Sequence, residues 1–196
     1  MQSSKHARSS QRAPATRPAH AARNQSDAGA DPVFASPQEE RRAAEQAALR
    51  ILRGAAQSEA ALSRRLQRRG FSEEASHAAS SAAVLSGYVD DTALARSIVD
   101  RRRTRRGTAR IAAELRARGI DGDVVTAALD SVTPDEQLES AIREVRRRLR
   151  DGLPDNPAER RRLLGRIGGA LSRLGFRGDV IARALHAAGA DPEEAR

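Results

Sequence analysis

The chain has 196 residues, 39% hydrophobic, 31% charged and only 2% aromatic, with a net charge of +9 and no cysteine. So few large side chains exclude one thick globular core and favour thin helical layers joined through alanine and leucine. The missing cysteine excludes disulfides, thiolate chemistry and Cys-ligated zinc, and no apolar run approaches the roughly 20 residues of a membrane span.

The positive charge calls for an acidic partner: nucleic acid, an acidic protein groove or an anionic membrane surface. It is almost all arginine, since Lys5 is the only lysine, and arginine grips phosphate and carboxylate in a planar, two-pronged way. A GC-rich coding sequence would explain arginine in place of lysine, but not the net charge.

In chain order, residues 1–35 are rich in Ser, Pro, Ala, Gly and Arg without periodicity and are expected to form a disordered basic tail. The first part is acid-free and Ser-rich, as organelle transit peptides are. It lacks both their apolar stripe and the apolar core of a secretory signal. His6 and His20 in it are solvated tail histidines.

Order is expected from Ser36-Pro37-Gln38-Glu39, a capping box with proline at the first helical position. Ala44, Ala47, Ala48, Ile51 and Leu52 then share one helical face up to Gly54. Ser58 caps a second helix carrying Leu62 and Leu66, which Gly70-Phe71 ends. Ser72 caps a third, with Ala75, Ala78, Ala79, Ala82 and Leu85 expected inward and Gly87 as its stop. Tyr88 follows and is expected to pack inward, with its hydroxyl at the surface. Asp90-Asp91 start the next helix (Leu94, Ala95, Ile98, Val99), and Gly107-Thr108 break and restart the chain. Ile111 and Leu115 lead to Gly119-Ile120, and Asp121 opens a short helix with Val124, Val125, Ala128 and Leu129.

Thr133-Pro134-Asp135-Glu136 is another capping box, followed by Leu138, Ile142, Val145 and Leu149 as an amphipathic stripe. Asn156-Pro157-Ala158-Glu159 caps the next helix, whose Leu163, Leu164, Ile167, Leu171 and Leu174 run to Gly175-Phe176. Val180, Ile181, Ala184 and Leu185 mark the last helix. No strand-like alternation of useful length occurs, so the fold class is all-α.

Three turns read alike: Leu66 to Gly70-Phe71, Leu115 to Gly119-Ile120 and Leu171 to Gly175-Phe176. Residues 119–129 also align without gaps on 175–185. The chain therefore reads as three tandem three-helix repeats forming an elongated, curved helical protein. The expected parts are a tail (1–35), repeats at 36–87, 88–131 and 132–189, and a frayed end (190–196). Each unit is too small to bury its apolar face alone, so stacking supplies the missing burial.

Candidate sites follow from charge. The acid pair Asp90-Asp91 lacks a third acid or histidine at ligand spacing and is read as helix capping. His77 and His186 have no catalytic constellation around them. No nucleophile, base or phosphate-cradling glycine loop is apparent, so the chain is not expected to be an enzyme or to carry a metal or cofactor. One or two arginines per helix are ordinary, but five among the six residues Arg101, Arg102, Arg103, Arg105 and Arg106 span are not. With Arg110, and with Arg64, Arg65, Arg68 and Arg69, they are the candidate binding residues. Arg146, Arg147, Arg148 and Arg150, and Arg160, Arg161 and Arg162, form further basic runs. Scarce aromatics argue against a base-stacking platform, leaving phosphates or acidic side chains as their targets.

The segment Gly87-Tyr88-Val89-Asp90-Asp91 through Arg96, the basic run, Gly107, and Glu114-Leu115-Arg116-Ala117-Arg118-Gly119-Ile120 resembles the central motif of the RecX family, bacterial regulators of the RecA recombinase. Residues 47–71 and the Leu171-to-Phe176 turn fit the same pattern, and the likeness covers about residues 40–188. Where the family more often has arginine before Gly-Phe, this chain has Leu174, which bears on surface contacts of the third repeat. The resemblance implies a monomeric, cytoplasmic inhibitor without membrane contact. It would lie in the groove of the RecA–single-stranded-DNA filament, limit growth or promote disassembly, and lower ATP hydrolysis and strand exchange. Double-stranded DNA is a further possible partner. The competing reading is an arginine-rich helical protein acting directly on nucleic acid.

Overall fold

The computed structural model describes residues 33–150 and 152–187. Most of the expected tail and all of the expected frayed end lie outside the described residues. Among those residues there are nine helices and no strand, in three triplets. The first holds α1 (Pro37–Gly54), α2 (Glu59–Gln67) and α3 (Glu73–Leu85). The second holds α4 (Asp91–Arg102), α5 (Thr108–Ala117) and α6 (Gly122–Leu129). The third holds α7 (Pro134–Arg148), α8 (Pro157–Arg173) and α9 (Gly178–Ala187). The main helix–helix contacts all fall within a triplet, and each triplet has its own buried cluster.

The first cluster is built on Ala44, Ala47, Ala48, Ala75, Ala79 and Ala83 around Ile51, Leu62 and Leu66. Small side chains let α1 and α3 approach closely, and the two fully buried leucines each contribute about 2 kcal/mol of burial. The connectors complete the cores. Val89 is buried in the first cluster and Val132 in the second, although the sequence reading placed each at the start of the following unit.

The same turn closes the second helix of every triplet. The N–H of Phe71, Ile120 and Phe176 donates to the carbonyl of Leu66, Leu115 and Leu171, and the glycine N–H before it donates to residue 67, 116 or 172. This is the paired bonding of a Schellman cap, with Gly70, Gly119 and Gly175 at φ 86°, 80° and 86°.

Four expectations need correction. Tyr88 is 63% exposed. Its N–H makes the corresponding bond to the carbonyl of Ala83, but alanine offers no broad surface for the ring, and Val89 takes the buried place. Leu85 is 89% exposed, because the inner face of α3 runs through Ala75, Ser76, Ala79, Ser80 and Ala83. Two residues beyond Ala83 is roughly 200° around the helix. On α7 the deepest residues are Gln137, Ser140, Ala141 and Val145, while Leu138, Ile142 and Leu149 are half-buried. That helix faces the second triplet as well as its own. Finally, ordered contact begins before Ser36. Phe34 stacks on Phe71 with ring centroids 5.6 Å apart, and Glu39 accepts from the Ala35 N–H rather than completing a box with Ser36.

Candidate functional site at the repeat junctions

The triplets meet through one contact used twice. At the first junction the turn before Gly119 sits on the N-terminus of α2. The Ser58 hydroxyl donates to the Arg118 carbonyl at 2.5 Å while accepting the Ala61 N–H, and Arg64 Nη2 donates to the same carbonyl at 3.1 Å. At the second, the turn before Gly175 sits on the N-terminus of α5, where the Gly107 N–H donates to the Leu174 carbonyl at 3.0 Å. Ser58 and Gly107 occupy equivalent N-cap positions, and Arg118 and Leu174 equivalent C-cap positions.

The next backbone donor also crosses each junction. The Glu59 N–H reaches Asp91 Oδ1 at 3.1 Å, and the Thr108 N–H reaches Gln137 Oε1 at 3.1 Å. A helix N-terminus has unpaired N–H groups to offer, and here the neighbouring unit accepts from them. In the third triplet the equivalent position is Leu163, inside α8, so no helix N-terminus stands there.

Asp90 and Asp91 therefore do different things. Asp90 caps α4 through the Ala93 N–H at 2.8 Å, whereas Asp91 reaches into the first triplet. Burial, helped by Glu59 and Asp90 nearby, raises the Asp91 carboxyl above its usual range although the Glu59 N–H pulls the other way. Among the described residues no group of acids and histidines could hold a metal ion.

The central basic run divides. Arg102 makes a two-pronged pair with Glu114, at 3.2 and 3.3 Å, and Arg118 approaches the same carboxylate at 3.5 Å. Burial would raise the Glu114 carboxyl, but the Arg102 hydrogen bond and the charges of Arg102, Arg118 and Arg106 outweigh it and hold it below the usual range. Arg103 bridges Asp100 at 3.5 Å and Glu136 at 3.1 Å, and its carbonyl accepts from Ser140 at 3.0 Å. These two arginines are structural. Arg101 donates to the Ser97 carbonyl at 3.1 Å. Among the described residues no acid pairs with Arg101, Arg105, Arg106 or Arg110 within salt-bridge distance, nor with Arg65, Arg68 or Arg69 on and after α2.

Five of these arginines, Arg101, Arg105 and Arg106 with Arg65 and Arg68, line two clefts, one at each junction, beside arginines that are paired. The cleft between the second and third triplets, about 660 Å³, is lined by Arg101, Arg102, Thr104, Arg105, Arg106, Ser140, Arg143, Glu144, Arg147 and Leu174. The cleft between the first and second, about 370 Å³, is lined by Gln57, Ser58, Ala61, Arg64, Arg65, Arg68, Ala117 and Arg118. Each touches the C-cap residue of the incoming turn. Arg69 and Arg110 line neither. The sequence reading missed Arg118 and Arg143, which stand outside the basic runs, and it could not place Arg147 beside Arg105. The repeat alignment sets Arg118 opposite Leu174, but a sequence does not show that this position meets the neighbouring unit. Glu144, beneath the larger cleft, is paired with Arg147 and Arg148. Burial opposes its ionisation, but those two arginines prevail and keep its carboxyl low.

No helix among the described residues is long and apolar enough to cross a membrane. Comparison with known proteins agrees with this architecture. A family model described as the second three-helix domain of RecX matches residues 90–129. A regulatory protein RecX from Thermobifida fusca is 39% identical over 65% of this chain and 69% of its own length. One from Stenotrophomonas maltophilia is 37% identical over 71% and 83%. In fold, the chain is similar to the crystal structure of RecX from Lactobacillus salivarius, with TM-score 0.67 and 18% identity over 78% of this chain and 98% of that one. It is also similar to a second crystal structure of regulatory protein RecX, with TM-score 0.65 and 23% identity over 73% and 71%.

Proposed function

Because the chain belongs to the RecX family of regulatory proteins, we propose that it regulates the RecA recombinase, mainly as an inhibitor. It binds in the groove of the RecA–single-stranded-DNA filament, where it limits growth or promotes disassembly and so lowers ATP hydrolysis and strand exchange. The observation that carries this reading is the pairing of family membership with arginines, above all Arg101, Arg105 and Arg106, that form no salt bridge among the described residues. Arginine suits both carboxylates and phosphates, the anions that a filament of protein on DNA would offer. Three units in series suit an extended, repeating target better than a small molecule.

Co-sedimentation with preformed RecA filaments tests the interaction. The protein should pellet with the filaments and should do so less when Arg101, Arg105 and Arg106 are replaced by alanine. A protein that stays in the supernatant contradicts the proposal. A second reading, direct action on nucleic acid, is favoured by the same unpaired arginines. Its mark is a steep salt dependence of DNA binding without RecA.

A further inference from the structure

The two junctions use the same turn but are fastened differently. At the second, the Gly107 N–H donates straight to the Leu174 carbonyl. The backbones of Gly107 and Gly175 lie so close that neither leaves room for a Cβ. Around that contact, buried Gln137 accepts from the Thr108 N–H, buried Ser140 donates to the Arg103 carbonyl, and Arg103 pairs with Glu136. Three residues of α7 therefore hold both Arg103, just after α4, and Thr108, at the start of α5.

At the first junction, no backbone N–H of one triplet meets a backbone carbonyl of the other among the described residues. Two side chains, Ser58 and Arg64, hold the turn at a single acceptor, the Arg118 carbonyl, and Arg64 is exposed. The other link, from the Glu59 N–H, ends on the Asp91 carboxyl, whose charge burial opposes. The atoms nearest to a Cβ on Gly119 would be side-chain atoms, Ala60 Cβ at 2.7 Å and Arg64 Nη1 at 2.9 Å. The connectors do not make this difference. Each is anchored by a buried valine, Val89 or Val132, and the cap of the next helix, Asp90 or Thr133, follows directly.

We infer that the first junction is a hinge and the second a rigid joint. The first triplet swings about Val89–Asp90, while the second and third triplets move as one body. A side chain with free torsions follows its acceptor through a displacement, and an exposed guanidinium exchanges a protein partner for water readily. A backbone N–H has no torsion of its own to follow with, and a buried partner that it leaves stays unsatisfied. Hinges are a few element-terminal residues that absorb the backbone change. Asp90, extended between buried Val89 and the first turn of α4, is such a residue. The consequence falls on the clefts. The smaller takes Arg64, Arg65 and Arg68 from one side of the hinge and Arg118 from the other, so its width adjusts. The larger spans the rigid joint and keeps its arginines at fixed spacing.

The chain has no cysteine, so introduced cysteine pairs carry spin labels without background. Double electron–electron resonance on the full chain then reads the spread of distances between the labels. Gln46→Cys with Ala127→Cys spans the first junction, and Ala127→Cys with Ala182→Cys spans the second. Gln46→Cys with Glu74→Cys lies within the first triplet. All four sites are exposed and helical. The pair across the first junction should give a broader distribution than the other two. Arg64→Ala should broaden it further and leave the other two unchanged. The inference is overturned if the pair across the second junction is as broad as the pair across the first. It is equally overturned if the pair within the first triplet is as broad, which would put the motion inside that unit. An Arg64→Ala variant that leaves the first pair unchanged, or broadens the second as much, also contradicts it. RecA is absent, so the outcome is independent of the proposed function.

Discussion

Gly107 and Gly175 meet backbone to backbone. A Cβ on Gly107 would lie 2.0 Å from the Gly175 carbonyl oxygen, and one on Gly175 would lie 2.3 Å from the Arg110 nitrogen. Gly107 has an ordinary φ of −72°, so its own conformation does not demand glycine. The neighbouring unit does.

Gly107→Ala should therefore destabilise the protein by about 3 kcal/mol, the upper end of the range for overpacking, because the obstructing atoms are backbone. Gly54→Ala, at a site with nothing within 4 Å, should be neutral or stabilising by up to about 0.5 kcal/mol. Urea unfolding of the two variants checks this. Equal midpoints would show that the second junction yields.

Ser58→Ala should cost more than Ser72→Ala. Both serines cap a helix through the N–H three residues on, a contribution of about 1 kcal/mol. Ser58 is fully buried and also donates across the first junction, so its loss leaves the Arg118 carbonyl with the Arg64 bond only and adds about 1 kcal/mol. Matching losses for the two variants would mean that the junction bond contributes nothing net.

Phe34→Ala should lower stability by roughly 1 kcal/mol, the usual contribution of a stacked aromatic pair. Leu85→Ala, removing an exposed side chain, should change it by less than about 0.5 kcal/mol. Thermal melts of the two proteins would rank them the opposite way if the Phe34–Phe71 stack were unimportant.

Acid should weaken the second triplet through Glu114. Its folded pKa lies below 4.5, so the stability it contributes is complete above that value and is lost as pH falls through the folded pKa. The unfolding midpoint of Glu114→Gln should fall less than the parent's between neutral pH and the acid limb. Asp91 has the opposite sign. Its folded pKa lies above 3.8, so its favourable contribution is complete below that value and is lost as pH rises through the folded pKa. Asp91→Asn should therefore be no less stable than the parent at neutral pH. A loss above about 1 kcal/mol at neutral pH would show that the Asp91 charge, and not only its acceptor oxygen, is needed at the α2 N-terminus.

Helix starts and stops were legible from the sequence because they are local. Ser58, Ser72, Asp90, Thr133 and Asn156 all cap through their own side chains, and glycine is needed where φ is positive. What could not be read was contact between units. Gly107 looks like any helix breaker, and Asp91 like a second cap, until the next repeat is in place. Leu85 and Tyr88 were misplaced because hydrophobicity was taken to mean burial, when alanine and serine line the inner face of α3. For the candidate site, the run at Arg101–Arg106 was visible as a charge density. Separating Arg102 and Arg103, which form salt bridges, from Arg101, Arg105 and Arg106, which form none among the described residues, required the positions of Glu114 and Glu136.

The central claim is regulation of RecA, and the most direct measurement is the rate of single-stranded-DNA-dependent ATP hydrolysis by RecA as this protein is added at substoichiometric amounts. The account predicts a progressive fall in rate, weakened by Arg101→Ala, Arg105→Ala and Arg106→Ala together in a variant that keeps the parent's helix content. An unchanged rate with the parent protein, alongside filaments of normal length in micrographs, would contradict it.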